Sequence, residues 1–154
     1  MNATQAWVIL LRGINVGGVK VTMADLKAML EGLGMTQVKT LLASGNVVAT
    51  FGRPLSVLIR SLPAIQQMVA DAPFAGIEVT KETRLYVTFL GEKTKTGMPV
   101  PHASDDGSFR IIGGDAGALY SVLVLGNTGT VDAMAIIEKA WGKDVTTRNW
   151  NTVE

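Results

Sequence analysis

Cysteine is absent from this chain of 154 residues. That excludes disulfides, zinc–thiolate and iron–sulfur centres, and a cysteine nucleophile. Histidine occurs once, as His102 in a Pro-His loop, which argues against a histidine-built metal site and against a Ser–His–Asp triad. Neither sign of charge is in excess: 14 Lys and Arg against 13 Asp and Glu leave a net +1. Such a balance gives no long-range field to gather nucleic acid or an anionic membrane surface, although it is compatible with a local basic patch. Long apolar runs are missing too. Those at residues 7–11 and 122–125 fall far short of the ~20 residues of a membrane helix. Residues 1–6 show no basic segment leading into an apolar one. The expectation is a soluble cytoplasmic protein with no membrane partner, no metal and no cofactor.

What the chain does have is core material. Hydrophobic residues make up 47%, and a chain of this length can bury about 68–70% of its unfolded surface. The pattern predicts a single domain over 1–154, with a strand–helix–strand–strand–strand subdomain at 1–60 and a mixed subdomain at 61–154. Residues 7–12 form an apolar run ending at a Gly/Asn cluster and read as a buried strand. Thr22 followed by Asp25 predicts a helix start. Met23, Leu26, Met29, Leu30 and Leu33 give that helix its apolar stripe, Lys27 and Glu31 face outward, and Gly34 ends it. Residues 38–43 and 47–51 read as a hairpin across Ser44-Gly45-Asn46, with a further strand at 55–60. Ser61 and Pro63 open a second helix carrying Leu62, Ile65, Met68 and Val69, which Pro73 closes. Leu85, Val87 and Phe89 alternate with Tyr86 and Thr88, predicting a strand with one deeply buried face. Residues 92–107 have no period and read as a long surface loop. A hairpin follows at 109–112 and 118–125. A third helix then carries Ala133, Met134, Ile137 and Trp141 inward and stops at Gly142, and the chain is extended from Val145.

With these motifs in view, the chain resembles the domain of unknown function 1697 family. The resemblance rests on Leu-Leu-Arg-Gly-Ile-Asn-Val-Gly-Gly at 10–18, Met23-Ala24-Asp25-Leu26, Ser44-Gly45-Asn46-Val47-Val48, and Thr-Thr-Arg-Asn-Trp-Asn-Thr-Val at 146–153. It runs over nearly the whole chain. It implies an α+β, ferredoxin-like fold of two related halves packed as one compact body, in a widespread set of bacterial proteins, and it implies no activity. One departure matters. Members of the family usually place a helix between the Ser-Gly-Asn-Val-Val strand and a Phe-Gly-x-Pro strand. Here Thr50 runs directly into Phe51-Gly52-Arg53-Pro54, too few residues for a helix of about 8–20. Members also usually continue into a short helical tail, where this sequence stops at Glu154. The expected consequence is a first sheet left partly uncovered around Val47, Ala49 and Leu58, with homodimerisation as one way to hide it.

Two runs carry polar residues that core packing does not need. Arg12-Gly13-Ile14-Asn15-Val16-Gly17-Gly18, with Lys20 just beyond, joins a strand to a helix. Backbone N–H groups at such a junction can hold an anion. The run lacks both the Gly-Lys-Ser/Thr of a phosphate loop and the Gly-x-Gly-x-x-Gly of a dinucleotide site, and a long turn with Arg12 paired to a carboxylate is the plain alternative. A strand–helix–strand connection makes its two strands parallel, so Arg12 and Asn15 are expected at the same sheet edge as Ser44 and Asn46. By itself Ser44-Gly45-Asn46 is ordinary turn chemistry. At the other end, Arg148-Asn149-Trp150-Asn151 offers a planar fork for carboxylate or phosphate. Its indole could stack on a base or equally anchor the C-terminus. An exposed Arg148 would be dispensable for folding. Residues 126–130 read better as hinge and helix cap than as an anion site, Asp105-Asp106 as a solvated turn, and the methionines as core filler.

The resulting expectation is a protein that binds a small anionic ligand, a nucleotide or phosphorylated metabolite. Its site would be Arg12, Asn15, Ser44, Asn46, Arg148 and Asn149, and catalysis is disfavoured. The alternatives are a single-stranded RNA-binding sheet, which the charge balance counts against, a metal-free enzyme using the same residues, and a structural or protein-interaction domain.

Overall fold

Thr22 starts the first helix as its local chemistry dictates. Its Oγ1 accepts from the Asp25 N–H at 3.1 Å and donates to Asp25 Oδ2 at 2.7 Å, satisfying a donor that the helix itself leaves unbonded. The computed structural model describes residues 6–12, 22–39, 57–126 and 132–154. The chain divides into two compact units, Met1–Ser61 and Leu62–Glu154.

In the first unit, β1 (Trp7–Leu11) pairs antiparallel with β2 (Val57–Ser61), with Ile9 opposite Ile59 and Leu10 opposite Leu58. Between them in sequence lies α1 (Met23–Gly32). It ends in a two-bond motif about Gly34, whose φ is 88°: Gly34 N–H donates to Glu31 O and Met35 N–H to Leu30 O, which satisfies two carbonyls of the last turn. Leu33, expected in the apolar stripe, is 71% exposed. It is the C-cap residue, already turned out of the helical repeat. Lys27 Nζ and Glu31 Oε1 lie 3.9 Å apart on the outer side. Leu26 packs with Leu11, Ile9, Met23, Met29 and Leu30, so α1 covers the ribbon face that bears Ile9 and Leu11. Leu10 and Leu58 project to the other face by strand alternation, and both are buried. Leu58 is therefore not part of an uncovered patch. The large exposed side chains of the ribbon are Trp7 and Ile59. Val38 and Lys39 are irregular after Gln37, which has positive φ, rather than the start of a strand. The rest of the expected hairpin, Val47, Ala49 and the junction at 50–54 where no helix was expected lie outside the described residues.

In the second unit, α2 (Leu62–Ala70) buries Ile65, and Ala72, at φ 46°, turns the chain out of it before Pro73. The strands are β3 (Thr83–Leu90), β4 (His102–Ala103), β5 (Phe109–Gly114), β6 (Ala118–Val124) and β7 (Val145–Asn149). Between β6 and β7 runs α3 (Ala133–Trp141), and α4 (Trp150–Val153) follows β7. The sheet order is β4-β5-β6-β3-β7 with every neighbouring pair antiparallel. β6 and β7 thus flank β3 and run parallel to each other, which a hairpin cannot achieve and a crossover helix can. Separate helices and antiparallel sheets make this an α+β fold.

The central place of β3 overturns the expectation of one buried face, since Val87, Thr88 and Phe89 are all 0% exposed. One sheet face, with Leu90, Phe109, Ile111, Leu119, Leu123 and Val145, packs on Ala133, Ile137 and Trp141 of α3. Met134 is exposed, and Ile136 and Ala140 take the place expected of it in the stripe. Asp132 caps α3, its Oδ1 accepting from Ala135 N–H at 3.0 Å. Gly142 ends it at φ 89°. Nor is the stretch 92–107 a free loop. It contains β4, Met98 packs on the core, and Lys95 N–H donates to Trp141 O at 2.8 Å. No helix among the described residues is long and apolar enough to cross a membrane.

Candidate functional site

Strand alternation decides where the C-terminal polar run points. In β7, Thr146 and Arg148 project to one face and Val145, Thr147 and Asn149 to the other. The register sets Arg148 opposite Val87, and Val87 opposite Tyr120, across three adjacent strands. Arg148 thus shares its face with Tyr120, while Asn149 leaves on the side that faces α3. Sequence neighbours on a strand do not line one depression, so the expected pairing of Arg148 with Asn149 is not a shared wall.

The Arg148 guanidinium is half-buried and held. Nη1 donates to Thr146 Oγ1 at 2.9 Å and to the Thr147 carbonyl at 3.1 Å. Burial pushes its pKa below the ordinary arginine value, because the charged form loses water. It is not the exposed cation that the sequence suggested. Asn149 is exposed and stands at the N-cap of α4, yet its side chain makes no capping bond.

Trp150 is spent in the core. Its ring meets Phe74 edge-on at 5.2 Å and Tyr120 at 6.3 Å, and Phe74 meets Tyr120 at 5.9 Å. These three rings fill the sheet face opposite α3, in the offset geometry that aromatic quadrupoles favour. Trp150 is 6% exposed, which suits an anchor for the chain end and leaves little ring to stack on a base. Tyr120 has its pKa raised, first by burial and then by the negative charges of Asp115 and Asp71.

The remaining expected site residues divide simply. Arg12 follows β1 and is half-buried. Asn15, Ser44, Asn46 and Lys20 lie outside the described residues, as do 127–131 of the turn before α3. Asp106 serves a turn: its Oδ1 accepts from Ser104 Oγ at 2.7 Å, Ser108 Oγ at 2.8 Å and Ser108 N–H at 3.0 Å. These bonds hold its carboxyl below the usual carboxylate range. No group of three or more His, Cys, Asp or Glu able to hold a metal occurs among the described residues. Sequence reasoning missed Thr146 as the residue that orients Arg148. The signal was there, since residues two apart on a strand share a face.

The arrangement defines an α+β protein with a held, partly dehydrated arginine on the outermost described strand of an antiparallel sheet. Residues 4–51 match the model of a family described as Protein of unknown function (DUF1697). The chain is similar to that family over its opening motifs. The Arg-Asn-Trp-Asn run lies beyond the matched stretch. No curated protein and no solved structure matches the chain.

Proposed function

We propose that this protein binds a small anionic ligand, a nucleotide or phosphorylated metabolite, with Arg148 as the charged anchor. The observation that carries the reading is the state of that side chain. Two acceptors on a single nitrogen fix the plane of the guanidinium, and burial has made its charge costly. A phosphate or carboxylate offsets that cost and accepts from the planar fork. In this reading Asn149 lies at the margin of the Arg148 site, on the strand's other face. The burial of Trp150 and the balanced charge favour a small ligand over single-stranded RNA. The test is a thermal-shift screen of nucleotides and sugar phosphates on the wild-type protein and on Arg148→Lys and Arg148→Met. A ligand at 100 times its Kd adds about 2.7 kcal/mol of stability, and the shift should shrink in Lys and vanish in Met. No shift with any anion, or an equal shift in all three proteins, overturns the reading.

The same proposal places the chain in a ferredoxin-like class. Support comes from the order β5-β6-β3-β7 with one crossover helix, α3, while the connection from β3 to β5 is the packed stretch 91–108 rather than a second helix. A homodimer is a further reading, favoured by the exposed Trp7 and Ile59 on one ribbon face. Sedimentation of the wild type and of Trp7→Ser at high concentration tests it, and a monomer in both sinks it.

A further inference from the structure

We propose that Asp106–Gly107 is a latent isoaspartate-forming site that its own turn holds closed. It is the one Asp-Gly step in the chain, and there is no Asn-Gly step. In such a step the backbone nitrogen of the glycine, having given its proton to solvent, attacks the aspartate Cγ. A new C–N bond forms, and one carboxyl oxygen leaves as water. The succinimide then takes up water at either carbonyl. One route restores aspartate, and the other gives isoaspartate, whose main chain runs through the former side-chain methylene. One water is lost and one gained, and nothing is oxidised or reduced. Glycine favours the closure because no side chain crowds the ring.

Solvent access does not protect this step, since both residues are exposed. The turn does so in three ways. Asp106 Oδ1 is drawn forward by Ser104 Oγ, Ser108 Oγ and Ser108 N–H at 2.7, 2.8 and 3.0 Å, and ring closure must break all three bonds. The attacking group is occupied as well, because Gly107 N–H donates to the Ser104 carbonyl at 2.9 Å. Departure of the oxygen as water also needs a protonated carboxyl, and the same donors favour the ionised form.

What the turn protects is an edge. β4 consists of His102 and Ala103 paired with Ile111 and Arg110, and the hairpin is closed by Ser104 N–H donating to Phe109 O at 2.8 Å. An extra methylene in the main chain between these strands, with the carboxylate displaced from its serines, removes the closure and releases β4. β5 stays held by β6.

The test incubates the full-length protein at neutral pH, folded and in urea, and measures isoaspartate at position 106 by enzymatic methylation and peptide mass spectrometry. The folded wild type should accumulate it severalfold more slowly than the unfolded chain. Ser104→Ala and Ser108→Ala, checked by circular dichroism to be folded, should each speed the folded protein and leave the urea rate unchanged. Equal folded and unfolded rates in the wild type overturn the proposal. So do folded serine variants that keep the wild-type rate.

Discussion

At the residue scale, Ser121 carries a hydroxyl that the fold does not use. It is 0% exposed, and its Oγ has no hydrogen-bond partner among the described residues. On the same sheet face, the Thr88 and Thr147 hydroxyls lie 2.8 Å apart and satisfy each other. A buried polar group without a partner costs roughly 1–3 kcal/mol. Ser121→Ala should therefore stabilise, by about 1 kcal/mol in urea unfolding, whereas Thr88→Val should destabilise by about as much because it orphans Thr147. A loss of stability in Ser121→Ala would mean that the hydroxyl is bonded. For Arg148→Ala the bonds to Thr146 and Thr147 predict a loss of about 1 kcal/mol, since hydrogen bonds from a charged donor exceed neutral ones. Asp106 adds a pH dependence whose sign is set by its depressed carboxyl pKa. Its contribution is fully present at neutral pH, above the unfolded value, and is lost as pH falls through the lower folded one. Ser108 amide shifts followed by acid titration should report that midpoint, and Ser104→Ala should move it upward.

At the scale of elements, the stretch between β3 and β5 is fixed by one contact. A Cβ on Gly97 would stand 2.2 Å from Trp141 Cε2 and Nε1, on a backbone with φ +80°. Gly107 has a similar φ of +71°, but a Cβ there would meet none of the described residues beyond its chain neighbours within 4 Å. Alanine at either site meets the left-handed penalty of about 1–2 kcal/mol. At Gly97 alone it adds overpacking worth about 1–3 kcal/mol more. Thermal unfolding should rank Gly97→Ala clearly below Gly107→Ala, and equal values would show that the indole can move aside. The same pair of residues shows what was legible in the sequence. α1 could be read because its cap, stripe and stop are local, all between Thr22 and Gly34. The packing of Gly97 under Trp141 could not, because it depends on which element comes back across the sheet. The two-faced burial of β3 was hidden for the same reason: Thr88 is polar, and its partner Thr147 lies 59 residues on. The Arg148 face was within reach, because alternation along 145–149 separates it from Asn149 once the strand is drawn through to its end.

At the scale of the whole molecule, the described cores differ in depth. Within Leu62–Glu154 the sheet is covered by α3 on one face and by Phe74 and Trp150 on the other, and Val87, Phe89, Phe109, Ile111 and Ile137 are all 0% exposed. Within Met1–Ser61, Leu11 and Leu26 form a buried pair against which Ile9, Met23, Met29 and Leu30 pack. Local opening free energy rises with such burial and with the number of shielded backbone bonds. Amide exchange should then be slowest in β3, between its two hydrogen-bonded neighbours, and faster in α1. Truncating one core at a time separates the units. Ile137→Ala deletes a fully buried side chain at a cost of about 2–5 kcal/mol, and it should accelerate β3, β6 and β7 together. Leu26→Ala should accelerate α1 and β1 and leave β3 near its wild-type rate, because a unit with its own core opens on its own. If either substitution speeds exchange by the same factor in α1 and in β3, the two units unfold as one cooperative body, and the chain is a single domain in the thermodynamic sense.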